Sequence, residues 1–149
     1  LGIIKCNTLV SCLLVVAFTL IGQQVRACSL KASGVNFAPY NVFSDDALHS
    51  SDNIEVNCAS GVGYTIALSE GIGNYEHRAM ISGAHALNYN LYTAVNYALV
   101  WGNNTSGTIT VSESGAGVSV NHVVYGQIPP HQNVPAGSYS DTITVEITF

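Results

Sequence analysis

The stretch "DTITVEITF" at residues 141–149 alternates Ile143, Val145, Ile147 and Phe149 with Thr142, Thr144, Glu146 and Thr148. Side chains along a strand point to opposite faces in turn, so this segment predicts a β-strand with one apolar and one wet face. Working outward, "GYTIALSEG" at 63–71 repeats the pattern with Tyr64, Ile66 and Leu68. The segments at 86–93, 97–101, 107–114 and 118–128 are further extended candidates, rich in Ile, Val, Thr and Tyr. Turn-prone runs such as "GIGNYEH", "GNNTSG", "ESGAG" and "PPHQNVPAGS" separate or flank them. No stretch has a helical stripe, and "ALHSSDNIE" at 47–55 is expected to form one short turn at most. Short strands divided by Gly and Asn turns predict an all-β sandwich or barrel.

The first 27 residues read differently. Lys5 precedes the apolar run "LLVVAFTLIG" at 13–22, and Val25 and Ala27 stand three and one positions before Cys28. A positive region, an apolar core and small residues before the cut predict a signal peptide over 1–27 and a secreted domain over 28–149. A membrane anchor needs about 20 apolar residues, and this run is shorter and interrupted by Thr19. Lipid attachment at Cys28 fits poorly with Arg26 in the region that should hold small residues.

Cys6 and Cys12 leave with the leader. Cys28 and Cys58 then remain as an even pair in an oxidising compartment and read as one disulfide, worth about 3–4 kcal/mol in the chain-entropy picture. The same region has nine acidic side chains against two basic ones, Lys31 and Arg78, a net charge of minus seven. That balance argues against nucleic acid and against an anionic membrane surface as partners.

No catalytic constellation is legible. His49, His77, His85, His122 and His131 are scattered without metal-ligand spacing, and the nucleophile-elbow, zinc-protease and phosphate-loop motifs are absent from the sequence. Ser140, His131 and Asp141 can be picked out as a triad, but only geometry defines one. Glu70 and Glu76 can be paired as glycosidase carboxylates, yet they fit solvated turn residues better. No enzyme and no cofactor are expected. Eight tyrosines and Trp101 are the more informative side chains. Tyr89 shares a strand parity with Leu87 and Leu91, which leaves Asn90 and Tyr92 on the other face. Core and interstrand packing accounts for most of these rings, while an exposed group would offer flat apolar area to a glycan or another surface.

Several short motifs, in order, run almost the whole length of 28–149. They are "CSLKASGVNFAPY" at 28–40, "IEVNCASGVGYTIALSEG" at 54–71, "HRAM" at 77–80, "LNYNLYT" at 87–93, "VWG" at 100–102, "VYGQIPP" at 124–130 and "AGSYSDTITVEITF" at 136–149. Together they resemble the spore coat protein U domain family, which includes pilins of the archaic chaperone-usher pathway. Ala38 departs from the glycine usual in the "NFAPY" motif.

The resemblance implies a Cys28–Cys58 disulfide, a structural place for Arg78 and Met80, and turn or close-approach positions at Gly102, Gly126 and Gly137. It further implies an immunoglobulin-like sandwich that lacks its last strand and is completed by a donated one. The expected partners are a periplasmic chaperone, an outer-membrane usher and a neighbouring pilus subunit. The expected acceptor groove lies between an early strand and the C-terminal strand, with Ile143, Val145, Ile147 and Phe149 along it. The protein would pass through the periplasm to the cell surface, in a pilus or, in the competing reading, in a spore or cell coat with a self-contained sandwich. Cleavage after Ala27 would leave no segment ahead of Cys28 to donate, an arrangement suited to accepting a strand at a pilus tip.

Overall fold

The computed structural model describes residues 28–149. The segment read as a signal peptide, with Cys6 and Cys12, lies outside the described residues. The described residues form eight strands: β1 (Cys28–Ala32), β2 (Leu48–Cys58), β3 (Gly63–Leu68), β4 (Arg78–Ser82), β5 (His85–Tyr92), β6 (Val111–Ser114), β7 (Ser119–Ile128) and β8 (Val145–Thr148). One sheet runs β1-β2-β7-β5-β4 and the other β6-β3-β8, and every strand pair is antiparallel. Among the described residues no helix is long and apolar enough to cross a membrane.

Alternation in the sequence places the core between the sheets. Ile54 and Val56 on β2, Leu87, Tyr89 and Leu91 on β5, and Val124 and Ile128 on β7 face Tyr64, Ile66 and Leu68 of β3. Trp101 fills the space between them, and its indole nitrogen donates to the Ile66 carbonyl at 3.1 Å. The Tyr64 hydroxyl meets His122 Nε2 at 2.8 Å, so the one histidine on the inward face of β7 has a polar partner across the core.

The expectation of a short helical turn at 47–55 is overturned, because these residues open β2, the longest strand. Ser50 and Asp52 occupy inward positions that apolar residues would usually fill. They bond to the neighbouring segment instead: Ser50 Oγ donates to the Asn36 carbonyl at 2.6 Å, and Asp52 accepts from Ser33 Oγ at 2.7 Å. The candidate at 97–101 forms only isolated bridges. There the chain turns at Tyr97, whose φ is 52° and whose amide donates to the Ala94 carbonyl. In the candidate at 107–114 only Val111–Ser114 form a strand.

The last segment changes sheets. Ile81 at the β4 edge exchanges two backbone hydrogen bonds with Ser140, and four residues later the Thr144 carbonyl accepts from the Ser69 amide beyond β3. β8 then pairs with β3 from Leu68↔Val145 to Thr65↔Thr148 and, among the described residues, has no strand on its other side.

Candidate functional site

A groove of about 1040 Å³ opens between residues 32–43 and residues 134–145. Its floor is apolar and is the edge of the core itself: Ile54, Leu68, Leu87, Leu91, Val124 and Ile128, all buried, and the partly buried Met80 line it. The first wall is extended but has no ladder: among the described residues, no backbone–backbone hydrogen bond joins 33–40 to another element. Side chains hold it instead, through Ser33 and Asn36 as above and through Tyr40, whose hydroxyl donates to the Pro129 carbonyl and accepts from the Gln132 amide. Val35 and Phe37 turn inward onto Gly126 of β7. A Cβ at Gly126 would stand 2.6 Å from Phe37 Cζ and 2.9 Å from Val35 Cγ1, so the wall can approach only because this position lacks one. Phe37 also packs edge-on against Tyr89, with ring centroids 6.1 Å apart.

The second wall is the approach to β8. The Thr144 amide and carbonyl both bond toward Ser69, on the β3 side. Because an antiparallel strand alternates the direction of its backbone groups, those of Ile143, Val145 and Ile147 turn to the open edge. The side chains of these three residues pack against the core and are only partly buried. Ile143 and Val145 line the groove, Ile147 packs beyond the lining residues, and Phe149 is 58% exposed. Phe43, at the mouth of the opposite wall, is 88% exposed.

Behind the groove lies a buried cation. Arg78 is 0% exposed and, among the described residues, pairs with no carboxylate; its guanidinium is held by oxygen dipoles. Nε and Nη2 donate to the Ser69 carbonyl at 3.1 and 2.8 Å, Nη2 also to the Trp101 carbonyl at 2.7 Å, and Nη1 to Asn90 Oδ1 at 2.7 Å. Burial lowers its pKa, and the nearby Tyr89, Tyr75, Asp141 and Glu70 oppose that shift. This bonding explains why Asn90 is buried although its parity is opposite to that of Tyr89. Its amide completes the network by donating to the Tyr75 and Glu76 carbonyls. Tyr89 donates to Asp141 Oδ2 at 2.7 Å, and burial, followed by that bond to a carboxylate, raises its pKa strongly.

Cys28 and Cys58 are disulfide-bonded at directly paired positions of β1 and β2. Ser140, His131 and Asp141 make no hydrogen bond with one another: Ser140 pairs with Ile81 through its backbone, Asp141 accepts from Tyr89, and His131 lies beside Asp45 at 3.5 Å on the surface. Glu70 and Glu76 are exposed, and Glu76 lies 3.8 Å from His77. Among the described residues no group of three or more His, Cys, Asp or Glu is placed to hold a metal ion. Tyr97 stacks on His49 at 4.4 Å and meets Tyr92 and Tyr125 edge-on, so part of the tyrosine set lies on the outer face of the larger sheet. Sequence reasoning did not place Val35, Phe37, Met80 or Tyr89 at the groove. The "NFAPY" motif next to a β7 glycine was the available signal.

The family model for the Spore Coat Protein U domain matches residues 14–146. The chain belongs to the Spore Coat Protein U domain family. The match starts within the segment read as a leader. Protein U of Myxococcus xanthus is 48% identical over 63 residues, which span 42% of this chain and 34% of that protein. The fold is similar to that of a chain in the CsuC–CsuE chaperone–tip adhesion subunit pre-assembly complex from archaic chaperone-usher Csu pili of Acinetobacter baumannii. That similarity has a TM-score of 0.63 and 25% identity, covering 84% of this chain and 40% of the other. The protein thus spans between a third and two-fifths of the length of these relatives. Its all-β, open architecture fits an immunoglobulin-like fold of the strand-exchanging kind.

Proposed function

We propose that this protein is a non-enzymatic structural or adhesive subunit of a surface pilus, secreted through the periplasm and completed by a strand donated from another chain. The observation that supports this most is the pairing of an apolar groove with the open β8 edge, where Ile143, Val145 and Ile147 present backbone donors and acceptors without ladder partners. An inserted strand would satisfy those groups and cover the half-buried side chains in one step. Ile143, Val145, Ile147 and Phe149 form the accepting strand in this reading, with Phe149 covered only on assembly. A periplasmic chaperone would supply the first strand and a neighbouring subunit the next, with an outer-membrane usher as the site of exchange. Residues 1–27 act as the cleaved leader, and intact-mass measurement of the secreted protein checks this by finding Cys28 as the first residue.

Amide hydrogen exchange tests the open edge. Ile143, Val145 and Ile147 should exchange fast in the free protein and become protected when an alternating apolar strand peptide is added. Protection before any peptide is added refutes the proposal. That result would favour a coat protein with a self-contained sandwich, the reading suggested by the family's coat-protein description and the Protein U similarity.

A further inference from the structure

The groove holds two carboxylates and no cation. Asp52 and Asp141 both line it, and no Lys, Arg or His does. Asp52 belongs to the inward-facing set of β2, in step with Ile54 and Val56. Its oxygens are held by Ser33 Oγ and the Asn53 amide. Asp141 is fixed more fully: Oδ1 accepts from the Ile72 and Thr142 amides at 3.1 and 2.6 Å, and Oδ2 from the Tyr89 hydroxyl at 2.7 Å. A carboxylate offers about four acceptor positions, so these bonds leave one on Oδ2 unused, in a place where Gly71 packs closely against the carboxylate. Neither aspartate takes part in an ion pair among the described residues. Arg78 lies within the field of Asp141, but its donors go to carbonyl and amide oxygens.

We infer that the strand accepted here carries a Lys or Arg in register with Asp141, and that an acidic side chain at that position is rejected. This rests on the strand-acceptor reading and adds a selection rule to it. Apolar side chains entering the groove exclude water and strengthen the field of a carboxylate that is already immobilised. A cation brought beside it on a paired strand needs little further ordering, whereas a second carboxylate would meet like charge with only the buried Arg78, whose donors are already committed, as a counter-charge. Asp52 adds a second negative charge to the same surface, and the protein as a whole is acidic.

End-blocked twelve-residue peptides of alternating Val and Ser, with a single Lys, Gln or Glu moved through every position, test the rule by fluorescence polarisation against the secreted protein. At one position Lys should bind about fivefold tighter than Gln, and Glu weaker than both. That preference should collapse in 1 M salt, where screening reaches about 3 Å. In Asp141→Asn, the Lys and Gln peptides should bind alike, whatever the affinity they then share. Equal binding of Lys, Gln and Glu at every position overturns the rule and leaves the acceptor groove standing. Failure of every peptide to bind overturns both. If Asp141→Asn does not fold, the salt titration on the unaltered protein decides alone: a Lys preference that persists in 1 M salt refutes the electrostatic assignment.

Discussion

Replacing Arg78 with Met removes the donors at the centre of the fold while keeping an unbranched apolar side chain. Asn90 Oδ1 would still accept from the Leu91 amide at 2.9 Å. The Ser69 and Trp101 carbonyls would lose the bonds that Arg78 makes to them. Each buried acceptor left without a partner costs about 1–3 kcal/mol, or about 2–6 kcal/mol for the two. Removing a desolvated guanidinium returns part of that, since its burial is already unfavourable enough to lower the pKa. A net loss of about 2–4 kcal/mol follows, equivalent to a fall of roughly 8–16 °C in Tm for a domain of this size. Urea unfolding followed by the fluorescence of Trp101, the single tryptophan, and by circular dichroism measures it. A midpoint shift worth less than about 0.5 kcal/mol at unchanged m would refute the claim that these carbonyls depend on Arg78.

Val145→Asp places a carboxylate on the groove side of β8 and should weaken strand-peptide binding by at least about a hundredfold, or prevent folding; normal stability and normal binding together would show that Val145 faces elsewhere. Gly126→Ala should push Val35 and Phe37 outward at a cost of about 1–3 kcal/mol and lower peptide affinity, read by calorimetry and polarisation. An unchanged affinity would mean that this wall does not shape the groove. Reduction of Cys28–Cys58, which closes a separation of 30 residues, should cost about 3–4 kcal/mol and reduce periplasmic yield; equal urea midpoints with and without reductant would count against that role. Tyr64, Tyr75, Tyr89 and Tyr92 all have pKa values raised in the folded state, chiefly by burial. Their protonated forms therefore contribute stability that is complete below the unfolded value of about 10 and is lost as pH rises above it. Tyr89→Phe should flatten that alkaline loss by up to about 1.4 kcal/mol per pH unit, and an identical slope in the variant would exclude Tyr89 from it.

The strands that were legible are those whose partners lie on one face only. In β3 and β7 the apolar residues alternate because one side meets the core and the other is more open to water; in β5 the same period survives although Asn90, on the opposite face, is buried by its bond to Arg78. The first half of β2 was hidden because Ser50 and Asp52 replace apolar inward residues and bond to the 33–36 wall. Only the three-dimensional approach of that wall makes polar residues suitable there. The run at 97–101 looked extended because Tyr97, Leu99 and Trp101 alternate, yet the turn at Tyr97 directs its ring to His49 on the outer face while Trp101 enters the core. At the candidate site, alternation placed Ile143 and Val145 on one face but could not find the opposite wall. That wall has no ladder, and its alternation is confined to Val35 and Phe37; it exists because Gly126 admits those two side chains.

In the proposed function the sandwich is open and takes its missing strand from another chain. Equilibrium unfolding and oligomeric state of the protein recovered from an oxidising periplasm, with and without a saturating alternating strand peptide, test it most directly. An open sandwich should give a weakly stable or aggregating protein that becomes a cooperative monomer with a clearly higher urea midpoint when the peptide is present. A soluble monomer of ordinary stability whose midpoint the peptide leaves unmoved would contradict it.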